Sequence, residues 1–285
     1  MATNDANGRL KKEKGTRMQI HTWVEEWEKR VPLTLQEAWD HSGKQFGRFA
    51  QPLRSMVFAL DFSAGALQRA VETGANLLVT HHPVLFEGVH TLHEDVPLQN
   101  LVMRALEQGI AVYATHTPWD WVDGGVNTEI AERMALRECR ALRPREESDP
   151  QRAYSAGFGV YGNIEPMTLA AFARNLSQAF STPSVVFYGE GERNITRVGL
   201  LGGSGMDFMP DALAAGCDVF VTADIKYHEA QSAVQNGLAL IDLGHYAAEF
   251  PSMARAMRLS QSFAPNVPQE VFDEKENKRH SLSGE

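Results

Sequence analysis

The sequence predicts an α/β protein of two halves, each a mainly parallel sheet flanked by helices. Three observations carry that reading. Apolar, β-rich runs alternate with helical patterns along the chain. The runs are apolar almost without interruption, as strands buried on both faces are. A charged, proline-containing stretch near the middle separates two halves of similar rhythm. A length of 285 residues suits about two domains at roughly 150 residues each.

Residues 1–17 carry Arg9, Lys11, Lys12, Lys14 and Arg17 among small polar groups and read as a tail. The first half is expected over 18–136. Ser55–Phe62 (SMVFALDF) reads as a strand, and Ala64–Glu72 as a helix closed by Gly74. Asn76–Thr80 and Ile110–Thr115 are the next strands, with helices over Leu98–Gln108 and Asn127–Leu136. Residues 137–152 (RECRALRPREESDPQR) are dense in charge and read as the linker. The second half, 153–268, starts with a strand near Ala156–Tyr161 and a helix over Leu169–Phe180. Strands at Ser184–Tyr188 and Thr196–Leu201 follow, then the turn Gly202-Gly203-Ser204-Gly205 and a helix ending at Gly216. Asp218–Thr222, a helix through Lys226–Gln235, Leu238–Leu243 and a last helix complete it, and 269–285 reads as a polar tail. No period of 20 to 50 residues recurs, which excludes a solenoid.

With 43% hydrophobic and 22% charged residues, the chain is neither disordered throughout nor collagen-like. Lys plus Arg number 27 against 36 Asp plus Glu, a net charge of −9 that argues against a nucleic-acid binder. Cys139 and Cys217 alone provide no disulfide framework and fit a reducing compartment. No apolar run approaches the roughly eighteen residues of a membrane helix, and no apolar core follows the basic start as in a secretory signal. The expectation is a cytoplasmic protein without membrane attachment.

The strongest local signal is Thr80-His81-His82-Pro83, directly after an apolar strand. Ligands in open α/β sheets sit beyond the carboxyl ends of strands. Adjacent residues on a strand point to opposite faces, so the two histidines converge only if the strand ends there, as Pro83 encourages. The plainer alternative is a pair of polar loop histidines. The next strand ends the same way, in Thr115-His116-Thr117-Pro118-Trp119-Asp120, where Asp120 is a candidate oxygen ligand or base and otherwise a turn cap. After LALIDL comes Gly244-His245-Tyr246-Ala247-Ala248-Glu249, and a helix starting at His245 sets His245 and Glu249 on one face at i and i+4. Alone, that pair reads equally as a solvated helix surface. Together the three strand ends offer His81, His82, Asp120, His245 and Glu249, enough for two divalent ions in the cleft between the halves if Glu249 bridges. Imidazole and carboxylate without thiolate suit Zn, Mn, Fe, Co or Ni.

Other features are less decided. The glycine turn 202–205 could cradle phosphate at a helix N-terminus, or serve as a tight strand-to-helix connection. Ser204 is no nucleophile elbow, since Met206 stands where glycine is needed. Asp224-Ile225-Lys226-Tyr227-His228 follows a strand and could line the same cleft, with His228 or Lys226 as proton donor. His21, His41, His90, His93 and His280 have no such context.

With these motifs in place, the chain resembles the dinuclear metal-centre hexameric proteins, some called GTP cyclohydrolase 1 type 2 homologues and the eukaryotic ones Ngg-interacting-factor-three-like. The likeness rests on LLVTHHP (77–83), ATHTPWD (114–120), GGVN (124–127), LGGSGMD (201–207), DVFVTADIKYHEA (218–230) and IDLGHYAAE (241–249). It departs at Trp39-Asp40-His41-Ser42-Gly43-Lys44, where a W-D-N-x-G-L-like segment is usual, at Ala248 for threonine, and at Pro118 and Trp119. The resemblance implies one ion on His82 and Asp120, another on His81 and His245, and Glu249 between them. It implies a toroidal homohexamer with the sites facing an inner cavity. It also implies a hydrolase acting on a nucleotide or related phosphate compound, with water attacking C8 of a guanine ring and His116 or His228 as catalytic proton shuttle. The competing reading is a non-catalytic metal-binding or regulatory scaffold with protein partners.

Overall fold

The computed structural model describes residues 18–144, 157–183 and 185–274. The expected tail over 1–17, the second half of the expected linker (145–152), the residues up to 156, Ser184 and most of the tail after 268 lie outside them.

Helix α1 (Ile20–Glu28) opens the chain and buries Ile20, Trp23, Val24 and Trp27, the i, i+3, i+4, i+7 stripe of an amphipathic helix. Strand β1 (Gly43–Phe46) precedes β2 (Met56–Ala59), α2 (Ala64–Glu72), β3 (Leu77–Thr80), α3 (Pro97–Glu107) and β4 (Ala111–Ala114). Ser63 caps α2, its hydroxyl accepting from the Ala66 amide. Two short helices, α4 (Thr117–Trp121) and α5 (Val126–Arg133), lead to β5 (Arg137–Pro144) and β6 (Gly157–Thr168). Helix α6 (Leu169–Ala179), β7 (Val186–Tyr188), β8 (Asn194–Ser204), α7 (Met209–Ala214), β9 (Val219–Ala223), α8 (Tyr227–Gln235) and β10 (Ala239–Asp242) follow. The described chain closes with α9 (His245–Glu249), α10 (Pro251–Phe263) and β11 (Gln269–Val271).

The first sheet has the order β1-β4-β3-β2-β11 and the second β5-β6-β8-β9-β10-β7. In the first, only the β1 edge runs antiparallel to its neighbour. The second is mixed rather than mainly parallel: β8, β9 and β10 are parallel, while the β5–β6, β6–β8 and β7–β10 pairs are antiparallel.

Two boundaries differ from the sequence reading. Arg137–Pro144, within the expected linker, is edge strand β5, with Leu142 turned inward and most charged side chains outward. Charge on an edge strand deters pairing with other chains, and that charge reads in sequence as a linker. Gln269–Val271, assigned to the polar tail, is β11 and pairs with β2, so the C-terminal segment returns to the first sheet.

Strand alternation explains the layering. Met56 and Phe58, Leu77 and Val79, and Ala111 and Tyr113 face a cluster shared with Val219, Val221 and Ile241 of the second sheet. Val57, Leu78 and Val112 face the opposite way, under α2 and α3, and Phe220 and Leu240 lie under α7 and α8. Both halves therefore meet in one core. Its buried indoles are satisfied: Trp23 donates to Ser260 Oγ at 2.7 Å and Trp27 to Thr115 Oγ1 at 3.2 Å. Among the described residues no helix is long and apolar enough to cross a membrane.

Candidate metal centre

The parallel strands of the two sheets deliver their carboxyl ends to one place. His81 and His82 directly follow β3, and the strand ladder stops there: the His82 amide turns to the Leu60 carbonyl at 3.1 Å, and Thr80 Oγ1 donates to the His82 carbonyl at 2.8 Å. Released from strand alternation, the two imidazoles come together with ring centroids 4.9 Å apart. His116 stands at the start of α4, whose first turn carries Asp120. His245 and Glu249 are the first and last residues of α9 and face the same side.

These residues form two sets around the Glu249 carboxylate. His82 Nε2 and His245 Nε2 lie 3.1 and 3.0 Å from Glu249 Oε2 and 3.2 Å from each other. His81 Nε2 lies 3.7 Å from the same oxygen and 3.8 Å from Asp120 Oδ1. By distance, His81 stands nearest Asp120 and Glu249, and His82 nearest His245 and Glu249. The family resemblance implies the other assignment, His82 with Asp120 and His81 with His245.

Each imidazole is oriented from behind. His81 Nδ1 donates to the Thr115 carbonyl at 3.1 Å, His82 Nδ1 to Asp61 at 2.7 Å and His245 Nδ1 to Asp224 at 2.7 Å. Every Nε2 is thereby directed at the shared space, the arrangement that fixes a metal-binding tautomer. Asp61 and Asp224 also stand just past strand ends, and neither is singled out by sequence reasoning. In the DIKYH segment the residue that reaches the cluster is Asp224, whose φ is 55°. His228 is exposed with its ring against Tyr227, and among the described residues the groups able to hold a metal do not include it.

His116 does reach the cluster: His81, His82 and His116 offer ligand atoms within 4.8 Å of one another. Its Nδ1 is held by Asp40 at 2.8 Å. Asp40 is buried and also accepts from the His41 amide, the Ser42 hydroxyl and the Thr117 amide and hydroxyl. The departure from the usual W-D-N segment thus leaves its aspartate anchoring a ring of the site.

The glycine turn has a structural task here. Gly202 and Gly203 lie within β8, and Gly203 has φ 67°, where a Cβ would strike Glu249 Oε1 and approach His245 Nε2. Glycine there lets the backbone come against the carboxylate. Gly244, at φ 86°, makes the corner from β10 into α9, its amide bonded to Asp242 at 2.9 Å.

The electrostatics are those of a site built around cations. Burial pulls His81 down to about 3, a neutral imidazole. Burial opposes charge on His82 and His245 as well, but Asp61 and Glu249 outweigh it for His82, raised to about 10. Glu249 and Asp224 do so for His245, raised to about 9. Burial and the Glu249 charge hold the Asp120 carboxyl well above the usual range. Burial also opposes ionisation of Glu249, and the imidazoles gathered on it hold it well below that range. His81 Nε2 and Asp120 Oδ1 are buried without a hydrogen-bond partner. Unsatisfied buried polar atoms are costly, and two such atoms aimed at one space beside a carboxylate fit a cation. A cavity of about 380 Å³ opens beside His245 and Asp224, with Arg133, Phe180, Tyr246 and Phe250 among its walls.

Fold and site together define an α/β protein of two sheets with a histidine–carboxylate cluster able to hold metal ions at the facing strand ends. The chain belongs to the Duf34/NIF3 (NGG1p interacting factor 3) family, whose model matches residues 18–278. It is 33% identical over 227 residues to a GTP cyclohydrolase 1 type 2 homolog of Streptococcus pneumoniae, covering 78% of this chain and 83% of that one. A homolog of the same description from Streptomyces coelicolor is 32% identical, with 77% and 78% covered. Among solved structures, a hypothetical protein of Staphylococcus aureus superposes with TM-score 0.86 at 26% identity over 93% of this chain and all of that one. A Bacillus cereus protein related to NIF3 shares the fold at TM-score 0.84 and 22% identity, with 91% and 98% covered.

Proposed function

We propose that the protein is a dinuclear metal-dependent hydrolase acting on a nucleotide or related phosphate compound. The observation that carries this is the pair of orphaned buried atoms, His81 Nε2 and Asp120 Oδ1, set against a second histidine pair on the same carboxylate. His81, Asp120 and Glu249 would hold one divalent ion, and His82, His245 and Glu249 the other. Bound there, Zn, Mn, Fe, Co or Ni would supply Lewis acidity and an activated water.

The chain's own residues do the rest. Glu249 neutralises both halves of the site, and Asp61 and Asp224 keep the imidazole Nε2 atoms turned inward. His116, its Nδ1 fixed by Asp40, keeps Nε2 for accepting and returning a proton beside the reacting group. Arg133, braced by Glu129 and the Ala179 carbonyl, places a guanidinium on the wall of the adjoining cavity, where an anionic group would sit. The relatives' printed description, GTP cyclohydrolase 1 type 2 homolog, supports a nucleotide as substrate. The assembly in this reading is a cytoplasmic homohexamer, and the two free cysteines suit that compartment.

Metal-loaded protein assayed against a panel of nucleotides and phosphoesters tests the proposal. Turnover that disappears on chelation and returns with a divalent ion is expected. Stoichiometric metal binding with no turnover on any member would replace the hydrolase with the scaffold reading.

A further inference from the structure

Trp23, Trp27 and Trp119 are at most 1% exposed, whereas Trp39 keeps 58% of its surface in solvent. Phe86, in the loop that follows His81 and His82, is 48% exposed. Neither ring joins the buried clusters. Both stand edge-to-face on His116: Trp39 at 5.5 Å and 76°, Phe86 at 5.9 Å and 88° between ring planes. His116 in turn touches the His81 and His82 rings at 5.2 and 5.5 Å. Two exposed aromatic rings therefore lie one side chain away from the metal cluster.

Their support is firm. Trp39 precedes Asp40, a buried carboxylate that binds His116 and the first residue of α4, so this dipeptide holds His116 through one side chain and covers it with the other. Exposed aromatic area is unfavourable in water, and Trp39 and Phe86 share His116 as a neighbour beside the polar cluster, where a ligand would cover both. A flat ring would recover that area by stacking, and the adjoining histidine edge limits how it can lie.

We propose that Trp39 and Phe86 form the platform on which the planar ring of the substrate stacks beside His116. The ring is the base of a nucleotide, which rests on the hydrolase reading above. Base stacking on aromatic side chains tolerates any base, because each has a π-face. The platform thus selects for a base and not among bases, while Arg133 at the His245 end meets the anionic part.

The test is the binding of GMP and of ribose 5-phosphate, which lacks the base, to metal-loaded protein by calorimetry, with metal content and light scattering alongside. Wild type is expected to bind GMP more tightly. Trp39→Ala and Phe86→Ala should each weaken GMP by about 5- to 150-fold, the range for losing one stacking partner. Both should leave ribose 5-phosphate affinity and metal content unchanged, and Trp39→Phe should regain most of the loss. Equal binding of the two probes by wild type, or unchanged GMP affinity in both alanine variants, overturns the platform and leaves the hydrolase reading standing. Absence of binding of either probe to wild type overturns the platform together with the nucleotide reading. A fall in particle mass in the variants with GMP affinity intact assigns the rings to an interface between copies and also overturns the platform.

Discussion

The two halves of the cluster solve the same problem differently. At the inner end, His81 is fully buried, is braced only by a backbone carbonyl, and leaves its Nε2 and Asp120 Oδ1 without partners. At the outer end, His82 and His245 each rest on a further carboxylate and are partly exposed. At the inner end burial keeps His81 a neutral imidazole, and burial with the Glu249 charge holds the Asp120 carboxyl above the usual range. The outer end fills the same need with protons, its imidazoles raised to about 10 and 9. Burial decides the first and carboxylates the second. Glu249 is the group common to both, so its loss should matter most.

Glu249→Ala is expected to abolish metal loading at both ends, since the cations would then face each other with no shared anion. His81→Ala should empty only the inner end. Elemental analysis after reloading checks this, and equal losses in the two variants would remove the bridging role. Asp61→Asn and Asp224→Asn should each lower affinity at the outer end by about 10- to 100-fold, the usual effect of removing a partner behind a ligand. The inner ion should be retained in both.

The comparison also has a pH signature. An imidazole with a raised pKa is protonated through neutrality, so a cation at the outer end must displace protons from His82 and His245. At the inner end His81, lowered to about 3, imposes no such competition above that pH, and the Asp120 carboxyl, held above the usual range, is the one group there that competes. On acidification from pH 9 the outer ion should leave first. Calorimetry of its uptake near neutrality, in buffers of different ionisation enthalpy, should register proton release. Simultaneous loss of both ions would contradict the contrast between the ends. The smallest effect is structural: Gly203→Ala places a Cβ at positive φ against Glu249 and should cost about 1–3 kcal/mol of stability, read from denaturant unfolding.

Much of this was legible in the sequence because strand ends are punctuated. His81, His82, His116, Asp120, His245 and Glu249 each follow an apolar run broken by proline, threonine or glycine, and all of them converge. The carboxylates behind them were harder to see. Asp61 lies within a run that reads as strand, and Asp224 belongs to a segment where His228 and Lys226 look the better candidates. Asp40 sits in a segment whose task shows only once β1 and β4 pair and bring it under His116. Similarly, β5 and β11 are polar edge strands, so apolar patterning does not announce them. The mixed order of the second sheet depends on pairing between distant segments, which local sequence does not encode.

Anomalous diffraction from crystals of the metal-loaded protein tests the central claim most directly, because it locates each ion against its ligands. The account predicts two sites per chain, one contacted by His81, Asp120 and Glu249 and the other by His82, His245 and Glu249. A single site, or two sites with Asp120 shared with His82 and His81 with His245, would contradict it.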